Sequence, residues 1–230
     1  MTDKKIDCVI VGDIETNCWL YRLEDENGGI KPCIIIDPGD EAGEIIARLK
    51  GLAWVPRYIF LTHGHFDHIM ALPDLAEAFA KGAFGGSPPP KTGIHRLDAH
   101  YLGKGAFTAH RNSYSAAGGD PAEVSSLWKP MPEADIIFEE GDMAGPFKVL
   151  HIPGHTQGSI GLYNERAGVL FSGDTLFKGD WGRTDLPGGN EDQIQQSLKR
   201  LLSMDGNIAV YPGHGPTTSI GEERQKFYDL

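Results

Sequence analysis

The run Thr62-His63-Gly64-His65-Phe66-Asp67-His68 places three imidazoles and one carboxylate within seven residues. Imidazole and carboxylate are the ligand types that hold zinc, iron or manganese in hydrolytic centres. If the residues ahead of the run are extended, His63 and His65 face the same way, because strand side chains repeat every two residues. Asp67 and His68 then open a turn or helix and aim at a second point. One short segment can therefore serve two metals. The chain has only nine histidines in 230 residues, so chance clustering explains the run poorly.

More candidate ligands follow in similar contexts. His155 lies in Pro153-Gly154-His155-Thr156-Gln157-Gly158-Ser159 and Asp174 in Phe171-Ser172-Gly173-Asp174-Thr175. His214 lies in Tyr211-Pro212-Gly213-His214-Gly215-Pro216. Each follows a short apolar run and a glycine, which read as a buried strand and the turn after it. The three runs are Phe147–Ile152, Gly168–Phe171 and Asn207–Tyr211. Strand ends that feed loops commonly carry active sites. Five histidines and two aspartates can then converge on one rim. The remaining histidines read differently: His95, His100 and His110 as satisfied polar side chains, and His151 as at most a support for a ligand. Asp37 reads as a turn residue or a support behind the site, with the structural role favoured.

The elements that must position these residues are short. Ile6–Val11, Cys18–Leu23 and Cys33–Ile36 read as strands, with a polar turn at Glu24–Gly29. A helix is expected at about 41–49, where Ile45, Ile46 and Leu49 share a face. Arg57–Leu61 reads as the buried strand that delivers the histidine run. Ile69, Leu72, Ala76 and Phe79 fall at helical intervals and predict a helix over 67–81. A strand at Thr92–His95 and a helix at Arg96–Leu102 are expected next. Glu191–Leu202 is a further amphipathic helix, and a last one begins near Thr217 or Ser219. Two β-rich halves with helices outside give an α/β (α+β) fold, an αββα sandwich of two mixed sheets. Residues 82–132 break the regularity with Gly85-Gly86-Ser87-Pro88-Pro89-Pro90, and Gly103–Trp128 reads as an insertion carrying Phe107, Tyr114 and Trp128. Long loops of this kind serve either as lids or as surface elaborations.

The length suits one domain spanning 1–230. A net charge of −11 argues against a nucleic-acid partner, which needs a basic face. A small-molecule substrate is expected instead, and the sequence leaves the oligomeric state open. The opening Met1-Thr2-Asp3-Lys4-Lys5 leads into a strand-like run with no apolar signal segment. No run approaches the roughly 18 apolar residues that span a membrane. Cys8, Cys18 and Cys33 are odd in number and show no CxxC spacing, which reads as reduced, mostly buried thiols of a cytoplasmic protein.

The ordered set His-x-His-x-Asp-His, Gly-His-Thr, Gly-Asp-Thr and Pro-Gly-His resembles the metallo-β-lactamase superfamily across nearly the whole chain. The early Ile36-Asp37-Pro38-Gly39 turn resembles the same family's pattern. The resemblance is strongest to glyoxalase II-like hydrolases: Asp67 and His68 are both present, whereas zinc β-lactamases of the first class lack that histidine. Gly182-Arg183-Thr184-Asp185-Leu186-Pro187-Gly188-Gly189 is similar to short bacterial glyoxalase II-like proteins. The resemblance implies that His63, His65 and His155 hold one metal, that Asp67, His68 and His214 hold another, and that Asp174 bridges them. It implies two divalent metal ions, zinc first, with iron or manganese also suited to this ligand set. Two such ions roughly 3.5–4 Å apart share a water and lower its pKa, so a metal-bridging hydroxide becomes the nucleophile and Asp67 can orient it and accept its proton. No serine or cysteine triad is needed.

The implied reaction is hydrolysis of a small acyl thioester such as S-lactoylglutathione. Larger glyoxalase II-like enzymes carry a C-terminal helical domain with glutathione contacts. Here 16 residues follow His214, so that domain is not expected and glutathione recognition would fall to the core or to residues 82–132. Two alternatives stand beside this one. A persulfide dioxygenase would use one iron held by His63, His155 and Asp174. A lactone or other ester hydrolase would use the same metal pair with a different pocket. Phe177 and Trp181 follow Asp174 and could wall a substrate pocket or belong to the core. Arg183 could meet a substrate carboxylate, although pairing with Asp185 to fix the loop is the favoured reading.

Overall fold

Strands that are apolar on both faces must be covered from both sides. The computed structural model, which describes residues 5–24 and 31–227, covers them in that way. In strand β2 (Thr16–Arg22), Cys18 and Leu20 face one apolar cluster while Trp19 and Tyr21 face another. In β3 (Lys31–Ile36), Cys33 and Ile35 divide from Ile34 and Ile36 in the same manner. The period of two thus sorts each strand's side chains into two different layers.

The first sheet runs β1 (Ile6–Val11), β2, β3, β4 (Trp54–Phe60), β5 (Lys91–His95) and β6 (Ile136–Phe138) in that spatial order. β1 to β3 pair antiparallel, and β3 to β6 pair parallel. The second sheet runs β7 (Met143–Ala144), β8 (Phe147–His151), β9 (Ile160–Asn164), β10 (Val169–Gly173), β11 (Ala209–Pro212) and β12 (Thr218–Ser219). Its pairing is antiparallel except between β10 and β11. Both sheets are therefore mixed. Helices α1 (Ala42–Leu52) and α3 (Leu72–Ala80) bury Ile45, Leu49, Leu72 and Leu75 against the first sheet. Helices α6 (Glu191–Leu202) and α7 (Ile220–Lys226) bury Ile194, Leu198, Leu201 and Ile220 against the second. The expected αββα sandwich of two mixed sheets is the observed fold.

Several elements differ from the sequence expectation. The helix predicted over 67–81 is two helices, α2 (Phe66–Ile69) and α3. Pro73 has no N–H to donate and sits in the first turn of α3, where none is needed. The segment after β5 is a 3₁₀ helix, Arg96–Tyr101. Gly103–Trp128 is not an irregular loop: it holds α4 (Ala106–Ala116) and α5 (Pro121–Leu127). Asp120 caps α5 by accepting from Ala122 N, and Pro121 starts it. Phe107 and His110 of α4 then pack their rings on Trp128. Residues 25–29 of the expected polar turn lie outside the described residues. Cys18 and Cys33 are buried thiols, as expected, and burial raises the pKa of both. Among the described residues no helix is long and apolar enough to cross a membrane.

The seam between the sheets is aromatic. Phe171, fully buried on β10, lies 6.1 Å from Trp19 and 6.2 Å from Tyr21 of the first sheet and 5.5 Å from Phe147 of its own, between ring centroids. Because β10 also delivers Asp174, this ring fixes the strand that the site depends on. Phe171→Ala is expected to cost about 3–5 kcal/mol in chemical denaturation, the usual range for an aromatic core truncation. A loss under about 1 kcal/mol would contradict this packing role.

Candidate metal centre

The predicted ligands lie in loops and on the short helix α2, at one end of the two sheets. β4 ends at Phe60, and the chain bends at Thr62 and His63. His63 and His65 are therefore on a loop, not on the strand, so strand alternation is not what aligns them. Asp67 and His68 sit on α2. His155 follows β8, Asp174 follows β10 directly, and His214 follows β11. The sheets are laced together at this end: Ile160 N donates to Thr62 O at 2.8 Å, and Trp19 Nε1 donates to Pro212 O at 2.9 Å. Close approach requires glycine at several positions here, Gly154 and Gly213 among them. A Cβ on Gly154 would strike the backbone of Ile194 at the start of α6, and one on Gly213 would strike the Asp174 carboxylate.

The side chains form the two expected groups. Ligand atoms of His63, His65 and His155 lie within 4.8 Å of one another, as do those of Asp67, His68 and His214. His65 Nδ1 is 2.8 Å from His155 Nε2. His214 Nε2 is 3.2 Å from Asp67 Oδ2 and 3.3 Å from His68 Nε2. Asp174 stands between the groups: Oδ1 is 3.4 Å from His68 Nε2, and Oδ2 is 3.6 Å from His155 Nε2 and 3.5 Å from His214 Nε2. His63 Nε2 and Asp174 Oδ1 are buried and take no hydrogen bond. An unpaired buried polar atom costs about 1–3 kcal/mol. Divalent cations held by these groups would remove that cost, so the residues fit a dinuclear centre.

Two carboxylates behind the ligands set their orientation. Asp37 is 1% exposed. Its Oδ2 accepts from Thr62 Oγ1 at 2.6 Å and lies 3.0 Å from His68 Nδ1, while Oδ1 accepts from Thr62 N at 2.8 Å. Since Thr62 Oγ1 gives its proton to Asp37, it accepts from His63 Nδ1 at 3.1 Å. Both imidazoles are thereby pinned through Nδ1 and present Nε2 forward. A carboxylate oxygen of Asp37 also lies within 4.8 Å of ring nitrogens of His63 and His68. Its oxygens are already committed as acceptors, so it supports from behind and is not a ligand. The favoured reading of Asp37 as a turn residue therefore understates it, although its φ of 53° does make the turn.

Asp98 is the residue that sequence reasoning missed. It is 1% exposed and accepts from Gly64 N at 2.9 Å, Thr156 Oγ1 at 2.7 Å and Gly158 N at 2.7 Å. It thus clamps the His63–His65 loop to the His155 loop. Nothing in its sequence context, His95-Arg96-Leu97-Asp98-Ala99-His100-Tyr101, sets it apart from its polar neighbours. His151 is not a support of this kind. It stacks on His95 at 4.3 Å and its Nε2 meets Gln157 O at 2.8 Å.

A cavity of about 560 Å³ opens beside the ligands. Its lining includes Phe66, Phe177, Arg183 and, from helices α4 and α5, Tyr114 and Leu127. Phe177 therefore walls the cavity, with its ring 6.1 Å from His214. Trp181 does not line it; the indole packs 5.4 Å from Phe227 against the cluster under α6 and α7. Arg183 makes the favoured pair with Asp185, through Nε to Oδ1 at 2.6 Å and Nη2 to Oδ2 at 2.7 Å. Its carbonyl oxygen meets His155 Nδ1 at 2.7 Å, which orients a third ligand.

Charge divides the cluster in two. Burial lowers the pKa of His63 well below its ordinary value and takes His65 down to about 3, with neighbouring imidazoles adding to the effect. Burial also lowers His68 and His214, but Asp174 and Asp67 outweigh it: His68 is raised well above 6.5 and His214 to about 10. Burial raises both carboxyls, yet His68 and His214 hold Asp67 and Asp174 well below the carboxylate range. The sign of the pH dependence follows. Below pH 6.5, unfolding frees His63 and His65 to take protons, so stability falls as pH drops toward about 3. Above 6.5 the folded His68 and His214 progressively lose stabilising protons, so stability falls as pH rises toward about 10. Metal-free protein should be most stable near pH 6.5. Bound cations take the place of those protons, so metal-loaded protein should keep its stability on the alkaline side. Thermal unfolding across this range, with and without chelator, checks it; superimposable profiles would contradict it.

Residues 11–214 match the model of the Metallo-beta-lactamase superfamily. The hydroxyacylglutathione hydrolase GloC of Haemophilus influenzae is 31% identical over 223 residues, which cover 96% of this chain and 95% of GloC. A crystal structure of TTHA1623 in a di-iron-bound form is similar at TM-score 0.76 and 35% identity, covering 97% of this chain and 100% of that one. The BLEG-1 B3 metallo-beta-lactamase is similar at TM-score 0.73 and 32% identity, covering 96% of each chain. A match of this extent in sequence and fold together settles the family: the chain is a member of the metallo-beta-lactamase superfamily, a hydrolase-type enzyme with a His/Asp metal-binding cluster.

Proposed function

We propose that this protein hydrolyses small acyl thioesters at a dinuclear metal centre. The observation that carries the reading is the complete pair of ligand groups with Asp174 between them, including His68 beside Asp67. His63, His65 and His155 would hold one divalent cation, and Asp67, His68 and His214 the other. When bound, such a pair supplies Lewis acidity toward a carbonyl oxygen and lowers the pKa of a water toward neutrality. Zinc is the first candidate, and the di-iron form of the relative TTHA1623 keeps iron in view.

The chain's own residues do the rest. Asp67 Oδ2 is occupied by Thr16 Oγ1 at 3.3 Å and by His214 and His68 at 3.2 Å each. Its Oδ1 is left to orient the attacking water and take its proton. That carboxylate is a weak base, since His68 and His214 hold its pKa down against burial. Its first task is therefore aim. The water oxygen bonds to the acyl carbon, the carbon–sulfur bond breaks, and the thiolate is reprotonated, giving an acid and a thiol. The resemblance to GloC puts S-lactoylglutathione on the substrate panel. A second reading, lactam hydrolysis, is supported by the likeness to BLEG-1. Persulfide oxidation at one iron and lactone hydrolysis belong on the same panel.

Asp174→Ala should lose metal and activity together, with kcat/KM down at least about a thousandfold, because it removes a ligand shared by both groups. Asp67→Asn should lower kcat by about 10²–10⁴-fold, the usual worth of a positioned proton acceptor. Elemental analysis and steady-state kinetics on acyl thioesters check both. Metal-replete protein that cleaves β-lactams and no thioester would overturn the proposal.

A further inference from the structure

The wall of the cavity beside the ligand cluster has two independent features that bear on its substrate. The first is charge. Among the described residues that line it outside the ligand cluster, the charged side chains are Asp13, Asp40 and Arg183. The Arg183 guanidinium is already occupied on two of its nitrogens by Asp185. Asp13 and Asp40 are exposed on the rim. Along this wall, away from the ligand cluster and the cations it would hold, a substrate carboxylate meets no uncommitted cation and two like charges, on a chain of net charge −11. Like charges brought together without a partner disfavour binding and select against the wrong ligand. A glutathione conjugate carries two carboxylates against one ammonium.

The second feature is apolar surface. Ile14 is 61% exposed and Leu127 62% exposed, and both line the cavity. Phe66 and Met70, half-buried, extend the same lining inward toward the ligands. Large apolar side chains left open around one concavity mark a surface meant to be covered. Leu127 comes from α5 of the helical insertion and Ile14 from the turn after β1, so two separate parts of the chain contribute to the same wall.

We infer that the preferred substrates are acyl thioesters whose non-reacting part is uncharged and apolar, in preference to conjugates of glutathione. This rests on the thioester reading above and narrows it. The reaction is unchanged: water supplies the oxygen of the new acid, the carbon–sulfur bond breaks, and the thiol leaves with a proton.

The test separates the two layers of the claim by measuring binding apart from turnover. Non-hydrolysable thioethers are titrated calorimetrically into the full, metal-loaded chain: S-hexyl-N-acetylcysteamine, S-methyl-N-acetylcysteamine and S-hexylglutathione. The expected result is at least tenfold tighter binding of the neutral S-hexyl compound than of S-hexylglutathione. From methyl to hexyl, affinity should rise about fourfold for each methylene that the wall covers. Leu127→Ser and Ile14→Ser should each shrink that methyl-to-hexyl gain. The double variant D13N/D40N should strengthen S-hexylglutathione binding more than binding of the neutral compound. Equal or tighter binding of S-hexylglutathione overturns the inference, and so does a methyl-to-hexyl gain untouched by either serine variant. Hexanoyl thioesters of both carriers are assayed alongside. Neutral preference in binding without turnover of either thioester overturns the hydrolase reading and leaves the apolar pocket standing. Turnover with the glutathione thioester preferred overturns the pocket and leaves the hydrolase standing.

Discussion

Asp37 accepts three hydrogen bonds from within the protein, and the site is organised around them. Thr62 N and Oγ1 fix the bend that follows β4. Through Thr62 Oγ1 the carboxylate sets the tautomer of His63, and directly it sets that of His68. His63 belongs to one ligand group and His68 to the other. A single buried anion thus fixes the direction of a lone pair in each half of the centre. Burying an anion is expensive unless it is fully hydrogen-bonded, and here each oxygen accepts. Asp98 performs the parallel task one loop away, joining the backbone of Gly64 to Thr156 and Gly158. The ligands face forward because their supporting atoms are spent behind them.

The sandwich makes this arrangement possible. Each sheet buries one face against helices and the other against its partner, so the strands are nearly rigid along their length. Their ends at one rim supply the loops, and cross-sheet bonds such as Ile160 N to Thr62 O hold the two rims in register. Helices α4 and α5 add one wall of the cavity and no member of the ligand groups. The ligand cluster and the cavity wall thus come largely from different parts of the chain: strand-end loops and α2 carry the cluster, while α4 and α5, the turn after β1 and the loop after Asp174 add the rest of the lining.

The clustering of these His and Asp side chains and the sandwich were legible in the sequence, the first from the ordered motifs and the second from the succession of short elements. His63, His65, Asp67 and His68 sit within seven residues, and a short, largely apolar run precedes each of His155, Asp174 and His214. Glu191–Leu202 was readable to the residue, since a strong helical period meets an Asn190 cap there. What escaped depends on contacts distant in sequence. Asp98 reaches Gly158 sixty positions away, and nothing beside it announces that partner. Trp181 and Phe177 look alike next to Asp174, yet only Phe177 turns to the cavity, because Phe227 receives the indole. The strands β6, β7 and β12 have two or three residues each and are too short for an alternating pattern to show. The helices of 103–128 were hidden by glycine and serine content, which propensity reads as loop and tertiary packing on Trp128 overrides.

The most direct measurement is metal stoichiometry and affinity in the native chain and in Asp37→Asn, by elemental analysis after gel filtration and by competition with a chelator. Asparagine tolerates the left-handed backbone at this position. Its amide, however, must turn an N–H toward groups that are themselves donors. We predict close to two metals per native chain and, in the variant, affinity lowered by about 10–100-fold at both positions, the usual cost of losing a ligand's supporting partner. Undiminished binding of two metals by Asp37→Asn would contradict the claim that one buried carboxylate organises both halves of the centre.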